Sequence, residues 1–282
     1  MNILPKRRRR WLIAAATGLA LVGGLTIGGS AFADDHAKAT WADDFDGAAG
    51  TAPDGAKWNH EVNGDGGGNQ ELQYYTDSTD NAALDGNGNL VITARKENPN
   101  NYQCWYGTCT YTSARLTTAN KFTQQYGHVE ARIKIPRGSG MWPAFWMLGS
   151  DIGSNPWPNC GEIDVMENIG SEPSTVHGSL HGPGYSGGNP LTGSYNLPGG
   201  GVFADDFHTF AVDWAPDHIA WSVDGQEYER HTPADTNGNP WAFDHPFFII
   251  LNVAVGGGWP GSPGGDTQFP QTMVVDYVHV SD

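Results

Sequence analysis

The chain runs to 282 residues, with 31 acidic against 15 basic side chains and a formal net charge of −16. So acidic a surface repels nucleic acid and anionic membranes, which excludes those partners and leaves neutral polymers and small molecules. Three cysteines are too few for a disulfide-built scaffold, and the length suffices for one domain with a large core of its own.

In chain order, the first segment reads as an export signal. Residues 6–10 are basic, residues 11–29 are apolar and rich in Gly and Ala, and Ala31-Phe32-Ala33 forms a small-x-small cleavage site. Cleavage after Ala33 is expected, with secretion as the outcome; a retained membrane anchor is the alternative, because the apolar stretch approaches the length of a span. Removing residues 1–33 takes away five basic side chains and no acidic one, so the net charge deepens to −21. Residues 34–282 then form a single domain, since no Pro/Thr/Ser linker, repeat or low-complexity tract divides them.

Runs of β-type composition punctuated by Gly, Pro, Asn and Asp follow at residues 90–94, 127–135, 142–148, 161–168, 175–181, 209–214, 219–223 and 247–255. Asp85-Gly86-Asn87-Gly88 and Asp224-Gly225 read as hairpin turns. Helical periodicity of any length is missing after the signal, which predicts an all-β fold, an antiparallel β-sandwich in which each sheet covers the other. Between the first runs, Cys104 and Cys109 bracket a loop short enough for a disulfide, with Gly107 at its bend. Cys160 is left over and reads as a small buried apolar residue.

Trp142, Ala144 and Trp146 share one face of the 142–148 strand. Indoles flanking a small residue suit stacking on the C–H faces of sugar rings, while burial in the core is the competing reading. Trp259, after three glycines, is a loop-borne candidate of the same kind. His177 and His181 would suggest zinc on a helix; on a strand they merely share a face and no acidic third ligand sits at helical spacing, so zinc is not expected. His181 is assigned as a hydrogen-bond partner for sugar hydroxyls or for Glu167, and His177 as structural.

The most informative stretch is Glu162-Ile163-Asp164-Val165-Met166-Glu167, with three carboxylates in six residues. Strict alternation puts Glu162 and Asp164 on one face but turns Glu167 into the core, where an unpaired carboxylate costs several kcal/mol or titrates neutral. A β-bulge that takes up Met166 shifts the phase, so that all three acids project from one side and Ile163, Val165 and Met166 cover the other. Acids this close cannot all ionise freely, and their pKa values must split. Split carboxyls are what a nucleophile and a general acid need at one pH.

Gly161-Glu162-Ile163-Asp164-Val165-Met166-Glu167-Asn168 resembles the signature of glycoside hydrolase family 16 in its bulged form, Glu-x-Asp-x-x-Glu. The bulged form is that of laminarinase-like β-1,3-glucanases, agarases and carrageenases, and the unbulged form that of lichenases. Segments 69–75, 113–116, 126–132, 141–146 and 275–278 are similar to bacterial laminarinases in the same order, so the likeness spans nearly the whole chain after residue 40. The resemblance implies a jelly roll with a concave substrate cleft and a secreted, monomeric endo-β-1,3-glucanase that acts with retention on a polysaccharide and needs no catalytic cofactor. It implies Glu162 as nucleophile, Glu167 as general acid then base, and Asp164 as the neighbour that holds the proton distribution. Asn69, Glu71 and Arg115 match positions in or near the cleft of relatives, with ordinary buried hydrogen bonding as the alternative. A structural calcium is implied on the convex side, held by the Asp276 carboxylate and by backbone carbonyls at Asp44 and Gly88. The rivals are a mixed-linkage or agar-type specificity on the same fold, and a non-catalytic β-glucan-binding protein. Retention of all three acids counts against the last, and the net charge counts against sulfated substrates.

Overall fold

The computed structural model describes residues 40–282; the expected signal segment lies outside the described residues. Alternation of apolar and polar side chains builds the strands in turn. The first part of the chain holds short ones: β1 (Trp41–Asp43), β2 (Asn59–His60), β3 (Gln73–Tyr75), β4 (Ala82–Leu84), β5 (Leu90–Ala94), β6 (Gln103–Cys104), β7 (Gly107–Thr108), β8 (Tyr111–Ser113) and β9 (Arg115–Thr117). The long strands follow: β10 (Gly127–Lys134), β11 (Met141–Gly149), β12 (Glu162–Glu167), β13 (Thr175–His181) and β14 (Leu191–Asn196). The last are β15 (His208–Ala215), β16 (His218–Val223), β17 (Gln226–His231), β18 (Phe247–Val255) and β19 (Gln271–Ser281). Helix among the described residues is confined to three short 3₁₀ turns.

Two antiparallel sheets stack face to face. One has the order β14-β13-β12-β11-β18-β9-β2; the other runs β17-β16-β15-β10-β19-β5-β4, with β1 also on β19. The filling between them is one cluster: Val129, Ala131 and Ile133 of β10 and Met273, Val275, Val278 and Val280 of β19 meet Phe145 and Met147 of β11, Ile163, Val165 and Met166 of β12 and the odd-numbered residues of β18. This leaves the other face of the seven-stranded sheet free to carry polar side chains. All of β18 is buried even so, because Phe248 and Ile250 form a second small cluster with Leu148 and Cys160 on that outer face. Cys160 lies wholly inside it, where burial pushes its thiol up to about 11, as befits an inert core residue.

Among the described residues, eleven strands lie outside the predicted runs, eight of them only two or three residues long, and the other three are longer. Leu191–Asn196 and Gln226–His231 are edge strands with half-polar sequences, and Gln271–Ser281 is the longest strand of all, interrupted in pattern by a register shift against Arg132 and Ile133 that lies beside Asp276. The turn at Asp224-Gly225 has φ of 51° and 77°, as a two-residue hairpin requires. Cys104 and Cys109 are joined by a disulfide.

The residues matched to a calcium site meet only in part. Strands β1 and β5 pair with successive stretches of β19, at residues 278–280 and 271–275, and the gap between them brings the Asp44 carbonyl within 3.7 Å of the position a Cβ would take on Gly88. Asp276 borders this gap in sequence, but its carboxylate is paired with Arg132 at 2.5 Å. The Asp44 carboxylate lies 2.7 Å from His279. The closeness of Asp44 to Gly88 agrees with the implied site, while the single carboxylate ligand has another partner.

Candidate active site

β12 is the strand on which the site depends. Against β11, Phe145 faces Met166 and Trp146 faces Asp164, so Val165 has no partner of its own; against β13, Asp164 faces Ser179 and Glu167 faces His177. The bulge is therefore the pair Val165-Met166, with Val165 as the skipped residue rather than Met166 alone. Both point into the core, at 2% and 0% exposure, while Glu162, Asp164 and Glu167 share the opposite face. Without the bulge Met166 would leave the core, forfeiting about 2 kcal/mol of burial, and Glu167 would enter it at a cost of several kcal/mol. Gly161 starts the strand at φ +71°, with the Ala242 carbonyl 2.5 Å from where a Cβ would stand, so only glycine fits.

A cleft of about 850 Å³ crosses these strands from Thr192 to Arg115. Its floor follows alternation: Trp142, Ala144, Trp146 and Leu148 on β11, the three acids on β12, His177, Ser179 and His181 on β13, Asn252 and Ala254 on β18, and Arg115 on β9. Trp142 and Trp146 both line the cleft, Trp146 packing in addition against the small cluster of Leu148, Cys160, Phe248 and Ile250. Trp259 meets Trp142 edge to face at 5.6 Å and forms the wall above Glu167 with His177. Asn69 lies on the rim, where its carbonyl receives the Gly258 N–H at 2.8 Å. Arg115 stacks on Trp146 at 4.6 Å and lies 3.2 Å from Glu61.

Two assignments change. His181 is directly opposite Glu162, 3.8 Å from that carboxylate and 3.2 Å from Asp164, so its close contacts are with those acids rather than with Glu167. The Gly187 N–H lies 3.1 Å from His181 Nδ1, which orients the ring with Nε2 toward the acids. His177, expected to be structural, stands at the cleft surface opposite Glu167, held by Glu172 at 3.0 Å.

The three carboxyls occupy different environments. Glu162 accepts the Trp157 indole N–H at 2.9 Å. Burial, then the neighbouring Asp164 charge, pushes its pKa up to about 8, against relief from His181, Trp157 and Arg115. Asp164 is raised by burial and then held down in part by a hydrogen bond shared with Glu162; its Oδ2 remains buried with no well-directed donor, since His181 is near but out of line. Glu167 has one donor, the Trp142 indole at 3.0 Å, and feels both other acids; burial first, then those charges, raise its pKa well above the ordinary carboxyl range. A proton therefore stays longest on Glu167, and Glu162 is the better supported anion.

Supporting residues lie around this row. Trp221 donates from beneath to the Asp164 carbonyl at 2.7 Å. Asn252 accepts the Trp146 indole N–H at 2.7 Å and reaches Tyr75, which with Gln73 holds the buried Glu71 in the cleft wall. Asn252 was detectable as the lone polar residue in a nine-residue apolar strand. Trp157 sits in a loop and gave no periodic signal. Glu162, Asp164 and His181 each offer a ligand atom within 4.8 Å of the others, so the cluster has the spacing of a metal group as well as that of an acid–base pair.

A trench floored by buried acids and walled by indoles on a jelly roll defines a β-sandwich glycoside hydrolase. The family described as Glycosyl hydrolases family 16 matches residues 69–279, and the chain belongs to it. It is 41% identical to a protein of Rhodothermus marinus named Beta-glucanase, over 97% of this chain and 94% of that one. The Glucan endo-1,3-beta-glucosidase of Cryptopygus antarcticus is 38% identical over 88% of this chain and 93% of its own. Among solved structures, the laminarinase catalytic domain of Thermotoga maritima MSB8 matches with TM-score 0.81 at 49% identity, covering 87% of this chain and 98% of that one.

Proposed function

We propose that the protein is a secreted endo-β-1,3-glucanase that cleaves with retention of configuration. The observation that carries this reading is the bulged β12, which sets Glu162 and Glu167 on the cleft floor in environments that separate their proton affinities. The ionised fraction of Glu162, which grows as pH rises toward 8, attacks the anomeric carbon while Glu167 gives its proton to the departing glucosyl oxygen, and a covalent glycosyl ester forms. Glu167, now a carboxylate, takes a proton from water; the water oxygen displaces Glu162 from the anomeric carbon, which restores both groups and the original configuration. Trp142 binds Glu167 Oε1, which leaves Oε2 for the proton in transit. Asp164 and His181 border Glu162 and keep it aligned, so they act as positioning residues.

The relatives named for β-1,3-glucan and the bulged acid spacing support laminarin as substrate; mixed-linkage glucan is the second choice, favoured by other family members named Endo-1,3-1,4-beta-glycanase. Product analysis on laminarin, lichenan and agarose in parallel decides it. Laminarin should be cut fastest, with the β-anomer appearing first by proton NMR; faster attack on lichenan or agarose overturns the specificity, and an α-anomer overturns the mechanism. Secretion rests on residues 6–33 alone, and an Asp34 N-terminus by mass spectrometry of exported protein tests it. A calcium ion between Asp44, Gly88 and Asp276 would clip the N-terminal strand to β19, provided Asp276 leaves Arg132.

A further inference from the structure

Among the described residues, four aromatic residues are 37–50% exposed: Trp157, Trp259, Trp105 and Tyr106. The first two line the cleft. The other two belong to the disulfide hairpin of β6 and β7, outside it. We propose that this hairpin is a distal sugar-binding platform, with Trp105 stacking on a glucosyl unit of a β-glucan chain that runs out of the cleft past Glu71. The proposal rests on the reading of the cleft as a β-glucan site.

Both rings are fixed by their polar ends. The Trp105 indole N–H donates to the Glu71 carbonyl at 2.7 Å, and the Tyr106 hydroxyl donates to the Leu72 carbonyl at 2.6 Å. The Trp105 amide is held by the Gly64 carbonyl at 2.8 Å, and the Cys104–Cys109 bond closes the loop behind it. Tyr106 meets Trp105 edge to face at 5.4 Å. Hydrogen bonds and cross-link thus fix the rings before any ligand arrives, while half of the Trp105 side-chain surface stays exposed. A preset apolar face loses little conformational entropy when it binds.

The platform continues the cleft. A Cβ on Gly66 would fall 2.6 Å and 2.7 Å from indole atoms Cδ1 and Nε1 of Trp105, and the next residue, Gly67, lines the cleft and abuts the Glu71 carboxyl. Glu71 therefore holds the indole through its backbone carbonyl and forms the cleft wall through its side chain. Gly66 and Gly67 have φ of +82° and +58°, so the rim between them is made of backbone alone and offers no side chain to block a chain crossing it. The ligand that suits this surface is neutral, extended and rich in axial C–H groups; indole stacking on a pyranose needs no charge, and the acidic chain supplies none that would attract an anion.

The test compares chain lengths. Replacing Trp105 with Gln removes the aromatic face but keeps a donor for the Glu71 carbonyl, and Trp105→Phe keeps the face without the donor. For Trp105→Gln, kcat/KM on long laminarin chains should fall about five- to tenfold, carried by KM, while the rate on oligosaccharides too short to leave the cleft stays at the parent value. Trp105→Phe should retain most of the long-chain activity, and Tm should be nearly parental in both. An equal loss on long and short substrates, or no loss on long ones, overturns the platform. A parent enzyme that leaves laminarin intact overturns instead the functional reading on which it rests.

Discussion

Glu162→Gln should stabilise the protein, and by an amount that depends on pH. Burial raises the folded-state pKa of Glu162 from 4.5 to about 8, with Asp164 adding to it. Below about pH 4.5 the carboxyl is protonated in both folded and unfolded chains and the folded state loses nothing. As pH rises from there toward 8, the unfolded chain ionises while the folded one resists, so stability is lost at up to about 1.4 kcal/mol per pH unit. By pH 7 that amounts to roughly 3 kcal/mol at most, or up to about 10 °C in Tm for a domain of this size. Glutamine keeps the shape and can still meet Trp157, but it does not titrate. Thermal melts of parent and variant at pH 4, 5.5 and 7 should therefore diverge as pH increases, with the inactive variant the more stable at pH 7. A Tm difference that is constant across this range refutes the argument that burial strains the acid.

Other perturbations probe separate parts of the fold. Trp142→Ala should cut kcat/KM for long oligosaccharides by about tenfold while shifting Tm by only a few degrees, because it removes a cleft face and the Glu167 donor without opening a core cavity; kinetics beside melts show which applies. Deleting Met166 restores strict alternation in β12 and should abolish laminarin cleavage; an active deletion variant would show that the bulge does not position Glu167. His128, raised from 6.5 to about 9 first by its bond to Asp213 and then by that to Glu130, contributes stability that is complete below pH 6.5 and lost as pH rises through 9. With a third of its side chain in solvent the contribution is about 1 kcal/mol, and His128→Gln should flatten the decline in denaturant midpoint over pH 6.5–9. Calcium should raise Tm in proportion to the logarithm of its free concentration, and Asp276→Ala should abolish that response; an unchanged response removes Asp276 as a ligand.

The sandwich and the catalytic strand were legible because both depend on local alternation. Glu162 to Glu167 announce a bulge by themselves: three acids on one face require one extra residue, and only its placement, at Val165-Met166, needed the neighbouring strands. Trp142, Ala144 and Trp146 were legible as one face, but not as cleft rather than core, since that depends on which sheet covers them. Long-range pairings were not legible. Trp157 reaches Glu162 from a loop, His181 turns to Glu162 and Asp164 through the β12–β13 register, and the Asp276 carboxylate is taken by Arg132, on the neighbouring strand but distant in sequence. The edge strands β14 and β17 carry too few apolar residues to read as strands at all.

The division of labour between Glu162 and Glu167 is tested most directly by azide rescue on an aryl β-laminarioligosaccharide. In Glu162→Gly, azide enters the space left by the nucleophile and should yield an α-glycosyl azide, of inverted configuration. In Glu167→Gly, azide should attack the glycosyl ester on Glu162 and yield the β-glycosyl azide. The opposite pair of products, or a β-azide from Glu162→Gly, contradicts the assignment of nucleophile and acid on the bulged strand.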